Sequence, residues 1–199
     1  EISLGLVGSE MCIRDSYGAL YSGIQRANIV LRYIDQIPAS GITEEDRSMI
    51  KGEALFLRGY QYFLLVNNYK EVPLRLIPSN EDETNKAAAT EAALWAQVEE
   101  DLDNAIKCNL PVERSTAKER ITKGAAIAML GKVYATQHKY PEAKQLLGTL
   151  LKAPYSYELM DNFEKNFTNE EEFNKESVFE LAYSCLLYTS DAADELDGV

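Results

Sequence analysis

The segment GEALFLRGYQYFLLV, at residues 52–66, decides the fold of this 199-residue chain. Its apolar and aromatic side chains leave it hydrophobic almost all round, which is typical of a helix packed on several sides. Thr43 lies upstream as an N-cap, and the acidic residues 44–46 suit the positive end of a helix dipole. We therefore expect a central helix that begins at Thr43 and ends near Asn68.

Apolar residues at three- and four-residue spacing predict four further helices around this one. Pro38 and Gly41 end the first of them, and Thr90 and Thr122 cap two others. Pro141 stands in the first turn of the last helix, where its missing N–H costs little. The expected bounds are 17–34, 90–109, 122–137 and 140–151.

The segments between and after the helices have their own patterns. Residues 72–78 contain two prolines and predict an extended crossing, and residues 80–89 and 112–120 predict polar loops. Beyond Pro154 the chain becomes irregular and aromatic. Residues 178–183 read as a short strand or as the entrance to a larger region.

One helical pair has the spacing of a tetratricopeptide repeat, with Leu130, Gly131 and Tyr134 followed by Tyr140 and Ala143. The small Gly131 admits the second helix, and we expect the two tyrosines to fill the groove between the helices. The second helix carries an apolar stripe that we expect to be buried: Ala143, Leu146, Leu147, Leu150 and Leu151. The predicted fold is all-α, with tetratricopeptide-like antiparallel helical pairs and an irregular C-terminal segment.

Both ends of the chain read as translated sequencing adapter. SEMCIRDS at 9–16 matches a transposon end used in library preparation, and CLLYTSDAADE at 185–195 matches its reverse complement. We expect residues 1–16 and 185–199 to be non-native and to pack poorly, which leaves 17–184 as one helical domain. A natural terminus of unusual composition is the alternative.

Removing those ends changes the bulk properties of the chain. They hold seven acidic residues and one basic residue, so 25 acids and 19 bases remain and the net charge moves from -12 to -6. Without a basic stripe, the composition does not favour a nucleic-acid partner. Cys108 is the one cysteine left, so no internal disulfide is expected. No apolar run approaches the roughly 20 residues of a membrane span.

Ordered motifs across residues 17–184 resemble the SusD/RagB family of outer-membrane nutrient-binding lipoproteins. In chain order they are AN at 27–28, GEALFLRGYQYF at 52–63, YKEVPL at 69–74, EDLDNA at 100–105, LP at 110–111, TKGAA at 122–126, YSYEL at 155–159 with Phe163, and ESVFE at 176–180. One departure is Lys70, where the family pattern has glycine.

The resemblance implies a tetratricopeptide-like scaffold that carries an irregular lobe. Family members are surface-exposed lipoproteins of the outer membrane, and each forms a lid on a SusC-like TonB-dependent transporter that imports the bound oligosaccharide or peptide. On this view the chain is a fragment without the lipid anchor, which would be its only attachment to the membrane, and without the C-terminal half. The alternative is a generic tetratricopeptide-like module that binds a protein or peptide.

Aromatic platforms bind sugar rings, and Tyr155 and Tyr157 are the candidate ligand-binding residues. They lie, with Phe163, in an irregular segment of the kind where function concentrates. Simple packing is the alternative for all three side chains. Trp95 instead lies on the apolar stripe of a helix, which predicts core packing.

The remaining polar residues predict structure rather than catalysis. Glu53 and Arg58 fall within the most buried helix, so each needs a partner, and we expect Asp101 to pair with Arg58. His138 is the only histidine and lies at a helix end, where it is suited to bond terminal carbonyls. The acidic runs 81–83 and 170–172 predict solvated loops, with a calcium site as the alternative.

No nucleophile–base pair, glycine-rich phosphate loop or metal-ligand spacing occurs in the sequence. The sequence therefore predicts a binding protein without a cofactor or metal, and not an enzyme.

Overall fold

The computed structural model describes residues 7–81 and 85–181, and the side chains of residues 7–14 lie outside this description. Five α-helices follow one another: α1 (Val7–Tyr33), α2 (Glu44–Tyr69), α3 (Glu91–Lys107), α4 (Lys123–Thr136) and α5 (Tyr140–Leu147). Short 3₁₀ turns occupy Ile34–Gln36, Phe163–Phe167 and Asn169–Glu171. Within the described ranges there is no β-strand, only an isolated bridge between Pro73 and Ala88. The all-α prediction is confirmed.

The three predicted threonine caps all begin their helices. Thr43, Thr90 and Thr122 each accept the backbone N–H of the third residue beyond through Oγ1, at 3.1, 3.3 and 3.1 Å. Each bond satisfies one of the N–H groups that a helix leaves open at its start.

Helix α2 is central, as its all-round hydrophobicity predicts. It packs against α1 on one side and α3 on another, and it also contacts α4. Tyr62, Leu65 and Val66 are fully buried between these neighbours. Consecutive helices pack in pairs along the chain, which confirms the tetratricopeptide-like arrangement.

The α4–α5 pair follows the repeat spacing only in part. Gly131 lies so close to Leu147 that a methyl group there would overlap this side chain, and Ala143 is buried. Tyr134 packs against the core, but Tyr140 is 59% exposed and accepts or donates a 2.7 Å hydrogen bond with His138 Nδ1 instead. The expectation that both tyrosines fill the groove is therefore wrong for Tyr140.

The predicted stripe of α5 is also wrong at its end, because the helix stops at Leu147. Leu150 is still buried, whereas Leu151 is 82% exposed. The turn that follows Leu147 breaks the three-and-four spacing, so Leu151 no longer lies on the inner face.

A buried polar network ties the extended crossing at 72–78 to the helices. Arg58 binds Asp101 with both arms of its guanidinium, at 2.6 and 2.8 Å, as predicted. Arg58 also donates to Asn28 Oδ1 at 3.0 Å, and Asn28 donates to the carbonyls of Arg75 and Ile77. Because every member has a partner, the network holds α1, α2, α3 and the crossing together.

The turn into this crossing contains the one departure from the family pattern. Lys70 has φ 63° and ψ −88°, a conformation that favours glycine. Its backbone N–H still donates to Val66 O at 3.1 Å and closes helix α2. The family pattern thus has glycine at a position where the backbone conformation favours glycine.

The predicted boundaries at 1–16 and 185–199 stay predictions. Helix α1 begins at Val7, inside the first of these segments, but the side chains there lie outside the described residues. Residues 185–199 also lie outside them, as does most of the acidic run at 81–83. The short strand expected at 178–183 is not formed over the described part, 178–181.

Candidate functional site

A pocket of about 310 Å³ opens between the loop before α4 and the irregular C-terminal segment. Both Tyr155 and Tyr157, the two candidates from the sequence, lie in its wall. The loop contributes Val112, Glu113, Arg114, Lys118 and Thr122, and the C-terminal segment contributes Pro154, Tyr155, Ser156, Tyr157, Phe173, Asn174, Lys175, Ser177, Val178, Phe179 and Glu180.

Ion pairs hold the loop wall of the pocket against helix α2. Glu53 of α2 accepts from Arg114 at 2.5 Å and from Arg120 at 2.8 Å. The Arg114 guanidinium also donates to Ile121 O at 3.2 and 3.0 Å. Burial lowers the pKa of Arg114, and the Glu53 carboxylate opposes that shift. Glu53 is thus paired, as expected, and both of its partners lie in the loop.

Side chains fold the C-terminal segment back on itself. Glu176 accepts the Met160 N–H at 2.8 Å and the Asn166 amide at 3.0 Å, and these two bonds lower the pKa of its carboxyl group. Asn174 donates to Asn166 and accepts the N–H groups of residues 176 and 177. The segment is irregular but well bonded, because side chains replace the missing helical hydrogen bonds.

An aromatic contact docks the end of this segment on the helices. Phe179 meets the buried Phe56 of α2 edge-on, with ring centroids 5.5 Å apart. Close by, the Glu180 carboxylate accepts the Phe173 N–H at 3.0 and 3.1 Å, and Phe173 adopts a left-handed φ of 55°. These contacts fix the pocket wall opposite the loop.

Tyr155 and Tyr157 form a nearly parallel stack, with centroids 6.1 Å apart and planes 11° apart. Tyr157 is bonded to the scaffold, since its hydroxyl interacts with Thr122 and lies against Gly124, where a methyl group would overlap it. Burial raises the pKa of Tyr157, and the Thr122 hydrogen bond opposes this. Burial raises the pKa of Tyr155, and the charge interaction with the neighbouring Tyr157 raises it further. Both phenols are therefore neutral at neutral pH.

The two tyrosines thus have different positions in the wall. Tyr157 is the supported ring, and Tyr155 stacks on it as the outer ring. Such a rigid aromatic surface suits the apolar face of a sugar ring. Ser156 and Ser177 line the same pocket, and their hydroxyls suit sugar hydroxyls.

The other predicted residues do not enter this pocket. Trp95 packs edge-on against Phe63 at 6.0 Å and donates to Glu91, in agreement with core packing. Phe163 is 73% exposed on a 3₁₀ turn outside the pocket, beside Phe167. His138 lies outside it too. Among the described residues, no group of three or more metal-ligating side chains comes together.

Several lining residues carry no signal that sequence reasoning detects. Lys118 and Glu113 look like ordinary members of a polar loop, and Ser177 lies in the ESVFE motif at 176–180, which gives no indication of ligand contact. Asn174 is one of several asparagines in its segment, and nothing in the sequence distinguishes it from the others. These residues come together only because the fold brings the loop before α4 against the C-terminal segment, as in the interaction of Thr122 with Tyr157.

The sequence matches the model of the SusD-like family, described as "Starch-binding associating with outer membrane", over residues 8–135. No curated protein matches the chain. The match begins inside the segment that we expect to be adapter-derived and ends in α4. Over the described residues, no helix combines the length and the apolar character needed to cross a membrane.

Solved structures of similar proteins share the fold. A laminarin-binding SusD-like protein is 34% identical with a TM-score of 0.79, over 86% of this chain and 38% of its own. A SusD superfamily protein from Bacteroides vulgatus ATCC 8482 is 35% identical with a TM-score of 0.75, over 81% of this chain and 34% of its own. A surface glycan-binding protein A from Bacteroides uniformis, 24% identical, has the same fold with a TM-score of 0.75, over 85% of this chain and 38% of its own. The chain therefore spans little more than a third of these structures.

Proposed function

Since this chain belongs to the SusD-like family, we propose that it is part of a non-catalytic glycan-binding protein of the outer membrane. Its role is to capture oligosaccharides and present them to a SusC-like TonB-dependent transporter. The observation that carries the proposal is the family match over residues 8–135 together with the similarity to a laminarin-binding SusD-like protein.

The pocket supports the binding part of the proposal. Its volume of about 310 Å³ lies at the lower end of ordinary small-ligand sites, which suits one or two sugar rings. Tyr155 offers a flat aromatic face, and Ser156 and Ser177 offer neutral hydroxyl groups. We assign Tyr155 to stacking on the ligand and Tyr157 to the support of Tyr155.

The helices contribute rigidity rather than chemistry in this mechanism. The buried polar network and the packed core keep α2 and α4 fixed, so the pocket walls need little reordering when a ligand enters. Less reordering leaves more of the interaction energy for affinity. Capture without bond cleavage also requires no general acid or nucleophile, consistent with the absence of a catalytic motif in the sequence.

Calorimetric titration of the whole chain with laminarin-derived and starch-derived oligosaccharides tests this proposal. We expect saturable binding to at least one of the two series, and chromatography of the recovered sugar should show no shortened product. Shortened oligosaccharides would contradict the non-enzyme assignment. If the folded chain binds neither series but binds peptides, the generic tetratricopeptide-like alternative is correct.

The transporter partnership has a separate test. The full-length gene product should co-purify with the TonB-dependent transporter encoded beside it, and protease treatment of intact cells should remove it from the surface. Recovery in the soluble cell fraction, without the transporter, would contradict both the partnership and the outer-membrane location.

A further inference from the structure

A partly buried carboxylate on the central helix connects the scaffold to the pocket. The side chain of Glu53 is only 15% exposed, and it lies on α2, the helix that packs against α1, α3 and α4. A carboxylate in such a place is costly unless it is paired. Both of its partners, Arg114 and Arg120, come from the loop that forms one wall of the pocket.

The loop has few other ties over the same stretch. Backbone hydrogen bonds join Arg120 N–H to Ala117 O at 3.0 Å and Lys123 N–H to Pro111 O at 2.8 Å. Ala117 adopts a φ of 53°, which is unfavourable for a residue with a side chain. The ion pairs to Glu53 are therefore the main side-chain restraint that ties the loop to helix α2.

The ion pair between Glu53 and Arg114 is also connected to the aromatic stack. Arg114 donates twice to Ile121 O, directly before Thr122. Thr122 both caps helix α4 and bonds the Tyr157 hydroxyl. The path from Glu53 to the stacked tyrosines is thus continuous: carboxylate, guanidinium, carbonyl, threonine and phenol.

We propose that Glu53 is a positioning residue for the pocket: through Arg114 and Arg120 it holds the loop at 112–122 in the conformation that binds a ligand. The proposal deepens the proposed glycan-binding function and rests on it. Without the Glu53 charge, the loop samples other conformations, and the apparent affinity falls by the fraction of chains still competent to bind.

Glu53→Gln tests this, because it removes the charge and keeps the size. Its matched control is Glu99→Gln, since Glu99 is also partly buried at 23% exposure and pairs with Lys139 at 2.5 Å, but outside the pocket. Hydrogen exchange at the amides of Arg120 and Lys123 reports the loop without any ligand. Titration with laminarin-derived and starch-derived oligosaccharides reports the pocket.

We expect Glu53→Gln to speed exchange at those two amides and to weaken oligosaccharide binding about tenfold, as when about a tenth of chains remain competent. Glu99→Gln should do neither. Unchanged exchange in Glu53→Gln, or an equal loss of affinity in both variants, would overturn the proposal.

Two further outcomes distinguish a failure of the Glu53 proposal from a failure of the glycan-binding function. If the unmodified chain binds no oligosaccharide, the glycan-binding function fails, and the exchange data alone decide whether Glu53 holds the loop. If Glu53→Gln does not fold, Arg120→Gln removes the more exposed of the two arginine partners of Glu53. It should speed exchange at the same amides, and unchanged exchange there would overturn the proposal.

Discussion

Replacing Asp101 by asparagine should unfold this chain more readily than any change of similar size on its surface. The Asp101 side chain is 1% exposed and that of Arg58 is 9% exposed, and the two form a bidentate ion pair. Asp101→Asn keeps the shape of the side chain and removes its charge. The Arg58 guanidinium then stays buried beside a neutral amide.

The expected magnitude follows from this burial. Breaking a buried pair by removing one charge costs about 3–5 kcal/mol in the free energy of unfolding. Removing both charges in Arg58→Met with Asp101→Leu should cost less, because no lone charge remains. Asn28 and Gln97 lose a partner in that double variant, so we expect a residual cost of about 1–3 kcal/mol.

Urea unfolding followed by circular dichroism at 222 nm measures both variants. Asp103→Asn is the control on the same helix, because its 2.5 Å pair with Lys107 is more than half exposed on both sides and should contribute less than about 1 kcal/mol. If Asp101→Asn costs no more than Asp103→Asn, the buried pair does not hold the helices together and the reasoning is wrong.

Three further predictions use the same unfolding assay. Lys70→Gly should stabilise the chain by about 1 kcal/mol, since it relieves a left-handed backbone, and Lys70→Ala, which keeps the strain, should not. Gly131→Ala should destabilise the chain by about 1–2 kcal/mol, because the added methyl group overlaps Leu147. Gly18→Ala is the control and should be neutral or stabilising, since nothing lies within 4 Å of the added methyl group. Equal effects of the two substitutions would refute the close approach of α4 and α5 at Gly131. Burial raises the pKa of the Tyr62 phenol above its unfolded value of 10.0, so its contribution to the free energy of unfolding is full below pH 10 and is lost as the pH rises further. Tyr62→Phe should reduce this loss of stability at high pH. An equal loss in the variant and the unmodified chain would contradict the role given to Tyr62.

The helices follow from sequence because local chemistry determines them. Each threonine cap depends on residues within one turn, and the three predicted caps and the five predicted helices are confirmed. The failures occur where the helix ends differently than the pattern suggests. Leu151 continues the apolar spacing, but the chain leaves the helix after Leu147, so the side chain turns to solvent.

Long-range pairing was predictable only where few partners were possible. Arg58 needs a buried acid, and Asp101 lies two helical turns beyond Leu94 on the apolar side of α3, so the sequence predicts this pair. Glu53 also needed a partner, but Arg114 and Arg120 lie 61 and 67 residues away in a polar loop with no periodicity. Nothing local distinguishes those arginines from other exposed bases.

The sequence predicts which segment of the chain contributes to the candidate site, the irregular segment after Pro154. Tyr155 and Tyr157 are aromatic residues in an irregular region, which predicts a binding role, and both lie in the pocket wall. Their unequal positions were not predictable, since they depend on Gly124 and Thr122 lying beneath the Tyr157 hydroxyl. Whether either ring touches a ligand stays a prediction.

The most direct test of the glycan-binding account is calorimetric titration of laminarin-derived and starch-derived oligosaccharides into Tyr155→Ala and Tyr140→Ala. Tyr140 is the matched control, since it is 59% exposed and lies outside the pocket. The account predicts that Tyr140→Ala binds like the unmodified chain and that Tyr155→Ala binds at least about tenfold more weakly, a loss of about 1.4 kcal/mol. Equal binding by the two variants would contradict a glycan site at this pocket.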